Sequence, residues 1–344
     1  MIRIGAGLWN TLPLEWTRKW RGSQVFIITD STVKKLYGRR LLRELLLKNV
    51  DAWLIDFPAG EASKDADVIN TLHTQLLEHG IRRDDLIVAL GGGVVGDVAG
   101  YVAATVLRGV RYIQVPTTLL AQVDSSVGGK VGINHPLGKN LIGAFYHPSA
   151  VYIDPEVLRT LPLGEFRSGL AEVVKIAAAL DASFFRFLEK NASRINRKDK
   201  QVLTEVISRS IRLKAEVVEK DEREAGLRKT LNLGHTIAHA LEVALGYTLR
   251  HGEAVAVGLV AEAKIAVEMG LLSRREQERL LQLMKALKLR TSFPRLRSKA
   301  KFFDALAADK KAVGEFTKFV LLKRIGYSVV GVDVPTPFIE EVIS

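Results

Sequence analysis

The sequence predicts an α/β fold joined to an α fold: a parallel-sheet α/β domain over residues 1–154, then a mostly α-helical domain over residues 155–344. Three observations carry this reading. Short apolar runs alternate with helix-period stretches through the first half. A glycine-rich junction directly follows the third of those runs. Beyond Pro155 the apolar period becomes 3.6 and holds for most of the remaining chain.

Composition narrows the class. With 344 residues, 47% of them hydrophobic, the chain can fill two cores. No run reaches the roughly 18 apolar residues of a membrane span. Met1–Asn10 lacks the charged-then-apolar layout of a signal peptide. The absence of cysteine excludes disulfides, thiolate metal sites and cysteine nucleophiles, and suits a cytoplasmic enzyme. The net charge is +12, and residues 274–311 hold twelve Lys/Arg against four Asp/Glu. Leu280, Leu281, Met284 and Leu287 give that stretch helical spacing. It therefore reads as a solvated basic face near an anionic ligand, not as a nucleic-acid surface.

In chain order, Val25–Thr29 reads as a strand, followed by Asp30 and Ser31. Lys34–Lys48 has helical spacing, Trp53–Phe57 is a second strand, and Pro58–Lys64 a loop that includes Glu61 and Lys64. A helix then runs to about His79. Leu86–Leu90 is purely apolar, as a strand buried on both faces of a parallel sheet must be. Gly91-x-Gly93-x-x-Gly96 follows, with a helix expected from Asp97. Strand, glycine loop and helix N-terminus together suit a pyrophosphate, because backbone without Cβ atoms approaches closely and free N–H groups point at the anion. The placement is unlike an ordinary dinucleotide fingerprint: the loop is not on the first strand, and Arg111, Tyr112 and Ile113 stand where a ribose-binding acid belongs. Tyr112–Val115 is a fourth strand, ending at Pro116, Thr117 and Thr118. Residues 123–140, VDSSVGGKVGINHPLGKN, are polar and glycine-rich. They read equally as an anion-binding loop pair or an exposed hairpin. Val151–Asp154 closes the first half.

The second half contains helices at Phe166–Leu180, Ser183–Asn191, Gln201–Lys220, His235–Leu245 and Glu253–Met269, with a small β excursion at Lys318–Leu322 and Tyr327–Val330. Two of its features carry chemistry. Glu172 lies among Leu170, Val173, Val174 and Ile176, where a carboxylate is costly unless paired or metal-bound. Lys175 shares its face, so a simple Glu172–Lys175 surface pair is the alternative. His235, His239 and Glu242 share one helical face, and His251 follows at the head of the next helix. Without cysteine, a divalent metal would take imidazoles and a carboxylate. Two histidines plus Glu172 would leave a coordination position open for substrate. The pattern leaves open which two histidines bind.

The stretches GGGVVGD, RGVRYIQVPTTLLAQVDSSVGGK, PLGKNLIGAFYHP, AEVVK, LNLGHTIAHALE and RHGEAV occur in this order and spacing. In them the chain closely resembles the bacterial 3-dehydroquinate synthases, of the sugar phosphate cyclase group, over nearly its whole length. The resemblance implies an NAD-binding first domain, a second domain that holds a divalent metal (zinc, or cobalt), and an active site between them. It implies Glu172, His235 and His251 as metal ligands, with His239 facing the substrate. On the substrate side it implies Asp124, Lys130, Lys139, Asn140, Lys175, Lys214, Arg228, Asn232 and Lys310. Arg108 falls on a position that reaches the substrate phosphate, including from a neighbouring subunit. On the cofactor side it implies Asp30, Glu61, Lys64, Gly92, Gly93, Val94, Asp97, Thr117 and Thr118, with Lys130 and Lys139 also near the cofactor. Thr32, Ala238 and His147 depart from residues common in the family, and none of these changes removes a group that the chemistry needs.

The implied reaction converts 3-deoxy-D-arabino-heptulosonate 7-phosphate to 3-dehydroquinate and phosphate, in the shikimate pathway of aromatic amino acid biosynthesis. It proceeds by NAD-dependent transient oxidation, phosphate elimination, re-reduction and aldol closure. The partners implied are a small anionic sugar phosphate and a second copy of the chain, with neither nucleic acid nor membrane. Other readings are a cyclase acting on sedoheptulose 7-phosphate or glucose 6-phosphate, a metal-dependent polyol dehydrogenase, and a basic nucleic-acid-binding protein.

Overall fold

The structure is a computed structural model. It describes the chain except residues 13–15, 17–19, 21, 309–311, 314–315 and 344, and of residues 308, 312, 313 and 316 only the backbone. The chain divides into two compact units, Met1–Leu161 and Pro162–Ser344.

The first unit is built on a six-stranded parallel sheet. Its strands are β1 (Ile2–Ile4), β2 (Val25–Asp30), β3 (Ala52–Phe57), β4 (Leu86–Gly91), β5 (Tyr112–Pro116) and β8 (Ala150–Ile153), in the spatial order β1-β8-β5-β4-β2-β3. Strand β1 escapes sequence reading because three residues carry no period. Its pairing with β8 places it. Central strands alternate their apolar side chains between two layers. Phe26, Ile28, Ile87 and Ala89 meet helices α2 (Ala66–Glu78) and α3 (Gly93–Thr105). Val25, Ile27, Leu86 and Val88 meet Trp9, Trp16 and α1 (Arg39–Leu46) on the other face. Helices on both faces are why β4 and β5 are buried throughout and read as unbroken apolar runs. The buried Asp154 closes the unit by accepting from Gly7 N (3.2 Å), Trp9 N (2.9 Å) and Glu156 N (2.9 Å).

Residues 130–145 form an antiparallel hairpin of β6 (Lys130–His135) and β7 (Gly138–Phe145). It is not simply exposed: Val131 and Ile133 are buried against the layer that contains α3, while β7 turns most of its side chains outward.

The second unit is mostly helical. Its helices are α4 (Leu163–Leu180), α5 (Ala182–Asn196), α6 (Lys200–Lys220), α7 (His235–Ala244), α8 (His251–Glu268), α9 (Arg274–Ala286), α10 (Lys299–Ala308) and α11 (Thr336–Ile343). A three-stranded sheet of β9 (Ala312–Val313), β10 (Phe316–Arg324) and β11 (Tyr327–Pro335) accounts for the β excursion. The basic helix α9 buries Leu280, Leu283 and Met284 and carries its charge outside, where Arg279 forms a two-pronged pair with Glu189 (3.1 and 2.8 Å). Among the described residues no helix is long and apolar enough to cross a membrane.

Candidate active site

In the first unit, the residues expected near a cofactor gather at the carboxyl ends of the strands. The chain leaves β2 for β3, then returns to the other side of β2 as β4, so the strand order switches between β2 and β4. Crevices at such switch points are where open α/β sheets bind ligands. Asp30 ends β2, Gly91 ends β4 with Gly92 after it, and Thr117 and Thr118 follow β5.

Helix α3 begins at Gly93 with Gly92 as its N-cap, four residues before the expected start at Asp97. Its first turn is therefore made of the glycine loop itself. A Cβ on Gly92 would come within 2.9 Å of the Thr118 methyl, and one on Gly93 within 3.2 Å of Ser125 Oγ. The cradle is tight around its backbone, and the amides of Gly93 and Val94 open a 13-residue helix without a side-chain cap. Those free N–H groups and the helix dipole fit a pyrophosphate.

Lys64 is buried and central to a small network. Its ammonium lies 2.7 Å from Asp97 Oδ2 and 3.8 Å from Glu61, and donates to Asn140 Oδ1. Asn134 ties in the hairpin by donating to Glu61 (2.9 Å) and accepting from Asn140 N (3.0 Å). Asn140, expected with the substrate group, thus stands beside Lys64. The Asp30 carboxylate accepts from Thr32 N (2.8 Å) and Val33 N (2.9 Å), so it caps the following turn. Lys130 is exposed, and Asp124 and Lys139 are half-buried. Arg108 is exposed on a turn where Leu107, Arg108 and Gly109 all have positive φ (49°, 66° and 119°). Consecutive left-handed residues with side chains store strain of a kind common at functional sites.

In the second unit, three helices converge on one carboxylate. Glu172 on α4 is wholly buried; its Oε1 lies 3.3 Å from His251 Nε2 and 3.7 Å from His235 Nε2. The candidate ligand atoms of Glu172, His235 and His251 all lie within 4.8 Å of one another. Lys175 pairs with the other carboxylate oxygen and is itself 2% exposed, so the pair is a core pair and not a surface one. A buried carboxylate with two imidazole nitrogens facing it has the donor set of a divalent metal site. His239, one turn beyond His235, is exposed, with its ring 5.4 Å from that of His235 and 6.4 Å from that of His251. The helical spacing alone left open which two histidines belong with Glu172, and the family resemblance implied His235 and His251; the geometry groups those same two with Glu172.

Electrostatics separate the three groups. Burial alone would raise the Glu172 carboxyl, but the Lys175 ammonium and the two histidines outweigh it and hold the group well below the usual carboxylate range. Burial, with Lys175 nearby, pushes His235 down to about 3, so its imidazole is a neutral lone-pair donor. Burial also disfavours charge on His251, yet Glu172 and Glu242 on its two sides push it up to about 10. An arriving metal ion must displace that proton.

Close backbone approaches set these positions. A Cβ on Gly252 would overlap Ser168 O, and one on Gly258 would overlap Gly234 O. Helix α8 therefore lies directly on the helix that carries Glu172 and on the turn ahead of His235. Gly252 N also donates to Ser168 Oγ (3.0 Å). The buried Glu262 of α8 accepts from Gly234 N (2.5 Å) and Ile237 N (3.4 Å), capping α7 where His235 begins it. Gly234, at φ 82°, makes the turn that lets it do so.

Two further cations, Lys214 and Arg228, join Lys175 among the buried groups here. Lys175, Lys214 and Arg228 each stand one to three residues from Ile176, Leu213 or Leu231, which share one apolar cluster. Arg228 donates to Glu222 O, and Asn232 to Glu224 Oε1 (2.6 Å). Lys310 lies outside the described residues. Glu242 and Glu262 were not singled out as site residues from sequence. The signal for Glu262 was a lone acid on an otherwise apolar helical face, and that for Glu242 its place on the face of His235 and His239.

A parallel sheet with an anion cradle at its switch point, followed by a helical unit with a Glu–His–His cluster, defines a nucleotide- and metal-dependent enzyme class. Residues 54–168 match the family model for the 3-dehydroquinate synthase N-terminal region, and residues 169–312 that for the C-terminal region. The chain belongs to the 3-dehydroquinate synthase family. It is 46% identical to the 3-dehydroquinate synthase of Nitrosospira multiformis, over all of this chain and 93% of that protein. It is 47% identical to that of Acidithiobacillus ferrooxidans, over 93% of this chain and 88% of the other. Among solved structures, it resembles 2-epi-5-epi-valiolone synthase from Streptomyces hygroscopicus with NAD⁺ and Zn²⁺ bound. There the TM-score is 0.90 at 29% identity, over all of this chain and 95% of that one. It also resembles 2-deoxy-scyllo-inosose synthase complexed with carbaglucose-6-phosphate, NAD⁺ and Co²⁺ (TM-score 0.89, 28% identity, 99% and 95% covered).

Proposed function

We propose that this protein converts 3-deoxy-D-arabino-heptulosonate 7-phosphate to 3-dehydroquinate and inorganic phosphate, with no net oxidation or reduction. The observation that carries the proposal is the buried Glu172–His235–His251 cluster in a chain of this family. Bound NAD⁺ supplies a hydride acceptor and a bound divalent ion, zinc or cobalt, supplies a Lewis acid.

The chain's own groups do the rest. The Gly93 and Val94 amides bind the cofactor pyrophosphate, with Asp30, Glu61, Lys64, Gly92, Asp97, Thr117, Thr118 and the neighbouring Lys130 and Lys139 shaping the cofactor's surroundings. Glu172, His235 and His251 hold the metal. Lys175 keeps Glu172 ionised and, with Lys214, Arg228 and Lys310, neutralises a substrate that has a carboxylate at one end and a phosphate at the other. Desolvated cations bind such anions more strongly than exposed ones. Asp124, Asn140 and Asn232 orient substrate hydroxyls. His239, exposed beside the cluster, holds or moves a proton at its ring nitrogen. Arg108 completes a phosphate site from the strained turn, and in a homodimer it serves the neighbouring copy. The expected cytoplasmic location fits a chain without cysteine.

The test follows phosphate release from the heptulosonate phosphate with catalytic NAD⁺ and Zn²⁺, with and without chelator, while the NADH band is watched. Chelator-sensitive release without NADH build-up is the expected result. NADH accumulation would point to a polyol dehydrogenase instead. Release only from sedoheptulose 7-phosphate or glucose 6-phosphate would reassign the substrate.

A further inference from the structure

Glu242 lies on α7 seven residues after His235 and three after His239, which places all three on one helical face. It is buried, 5% exposed. The chain reverses just beyond it: Tyr247 N donates to the Glu242 carbonyl (2.7 Å), and Tyr247 takes a positive φ of 59°. That reversal returns His251, the first residue of α8, over the Glu242 side chain. His251 is thereby flanked by two carboxylates. Its Nε2 faces Glu172 Oε1 at 3.3 Å, and its Nδ1 faces Glu242 Oε2 at 3.5 Å.

The two nitrogens of an imidazole cannot both be lone-pair donors in the tautomer that binds metal: one keeps its hydrogen and the other ligates. We propose that Glu242 is the positioning carboxylate of the metal site, accepting Nδ1–H of His251 so that Nε2 presents its lone pair beside Glu172. The inference rests on the ligand set proposed above and adds to it a residue that touches neither metal nor substrate. Its negative charge also raises the basicity of the ligating imidazole. His235 is oriented differently, by a backbone carbonyl, with its Nδ1 3.2 Å from Leu233 O. The two imidazoles are thus held by partners of different charge, and only His251 depends on an ionised one.

The experiment is a Zn²⁺ affinity measurement by chelator competition, with the visible spectrum of the Co²⁺-loaded protein recorded in parallel. It compares wild type, Glu242→Ala, Glu242→Gln and Glu172→Ala. Loss of an outer carboxylate weakens metal binding by about 10- to 100-fold, and that is expected of Glu242→Ala, with a shifted cobalt spectrum. Glu242→Gln, whose amide oxygen still accepts from Nδ1–H, should fall between Ala and wild type and recover most of the spectrum. Wild-type affinity and an unchanged cobalt spectrum in both Glu242 variants would overturn the proposal, whatever their thermal stability. Should Glu242→Ala not fold, Glu242→Gln decides: a reduced affinity with a shifted spectrum supports the role, and no change in either overturns it. Zn²⁺ uptake by wild type that Glu172→Ala abolishes confirms the ligand set independently. No uptake by wild type would refute the ligand set, and the role of Glu242 with it.

Discussion

At the scale of single residues, the distinction that matters is between charges the fold can replace and charges it cannot. His251 has a partly exposed side chain, 35%, at a helix start. His251→Ala should therefore keep the fold while lowering Zn²⁺ affinity by more than about 100-fold, beyond the loss expected for an outer partner. Equilibrium dialysis with circular dichroism checks both halves of that statement. Glu172→Gln should behave differently. It leaves Lys175 charged in the core, and orphaning one partner of a buried pair costs roughly 3–5 kcal/mol. Metal loss should here come with a clear drop in denaturation midpoint.

Asp85 provides a residue-scale test away from the site. It is buried and accepts from Gln24 N (2.8 Å), Arg82 N (2.7 Å) and the Arg82 guanidinium (2.9 Å). Burial would raise its carboxyl, but these bonds, led by Arg82, hold it below the ordinary aspartate value of 3.8. A depressed folded-state pKa stabilises above the unfolded value and loses that contribution as pH falls through the folded one. Asp85→Asn should therefore cost about 1–3 kcal/mol near neutrality. The difference from wild type should shrink below about pH 4, as urea melts across pH would show.

At the scale of elements, the ligand geometry is a helix-packing result. Helix α8 touches α4 at Gly252 and the pre-α7 turn at Gly258, both without side chains. Gly252→Ala should force α8 from Ser168 and cost about 1–3 kcal/mol by overpacking. It should also weaken Zn²⁺ binding, because His251 and Glu172 move apart with the helices. A lowered melting temperature with unchanged metal affinity would show that the contact supports stability alone. The same reasoning bears on the start of α3 at Gly93: glycine costs a helix interior about 1 kcal/mol against alanine, but here the loop closes directly on Thr118 and Ser125, and a Cβ would have to push their side chains aside.

At the scale of the whole molecule, the residues proposed for the cofactor and those proposed for the metal fall in different compact units. Each ligand should then stabilise by its own binding. At a concentration of 100 times its Kd, a ligand adds about 2.7 kcal/mol, which is a shift of a few degrees for units of this size. NAD⁺ should keep its shift in His251→Ala, whereas the Zn²⁺ shift should vanish. Loss of both shifts in differential scanning fluorimetry would mean that the two sites do not load independently.

The local patterns of the sequence determined much of this. Apolar runs at Leu86–Leu90 and Tyr112–Val115 announced buried parallel strands, because helices on both faces leave no polar side. The change of period beyond Pro155 announced the helical unit, and the costly Glu172 among apolar neighbours, together with the spaced histidines, announced the metal cluster. What only tertiary structure decided depends on contacts between distant segments. Strand β1 exists through β8, Asn140 reaches Lys64 through the hairpin, and Lys175 proves buried, not exposed. The family resemblance already implied His235 and His251 over His239, but the distances that group them with Glu172, and the placing of Glu242 and Glu262, follow from where α8 lies. A sequence period records which face of a helix is apolar. It does not record which other helix that face meets, and here that meeting brings His235 and His251 to Glu172.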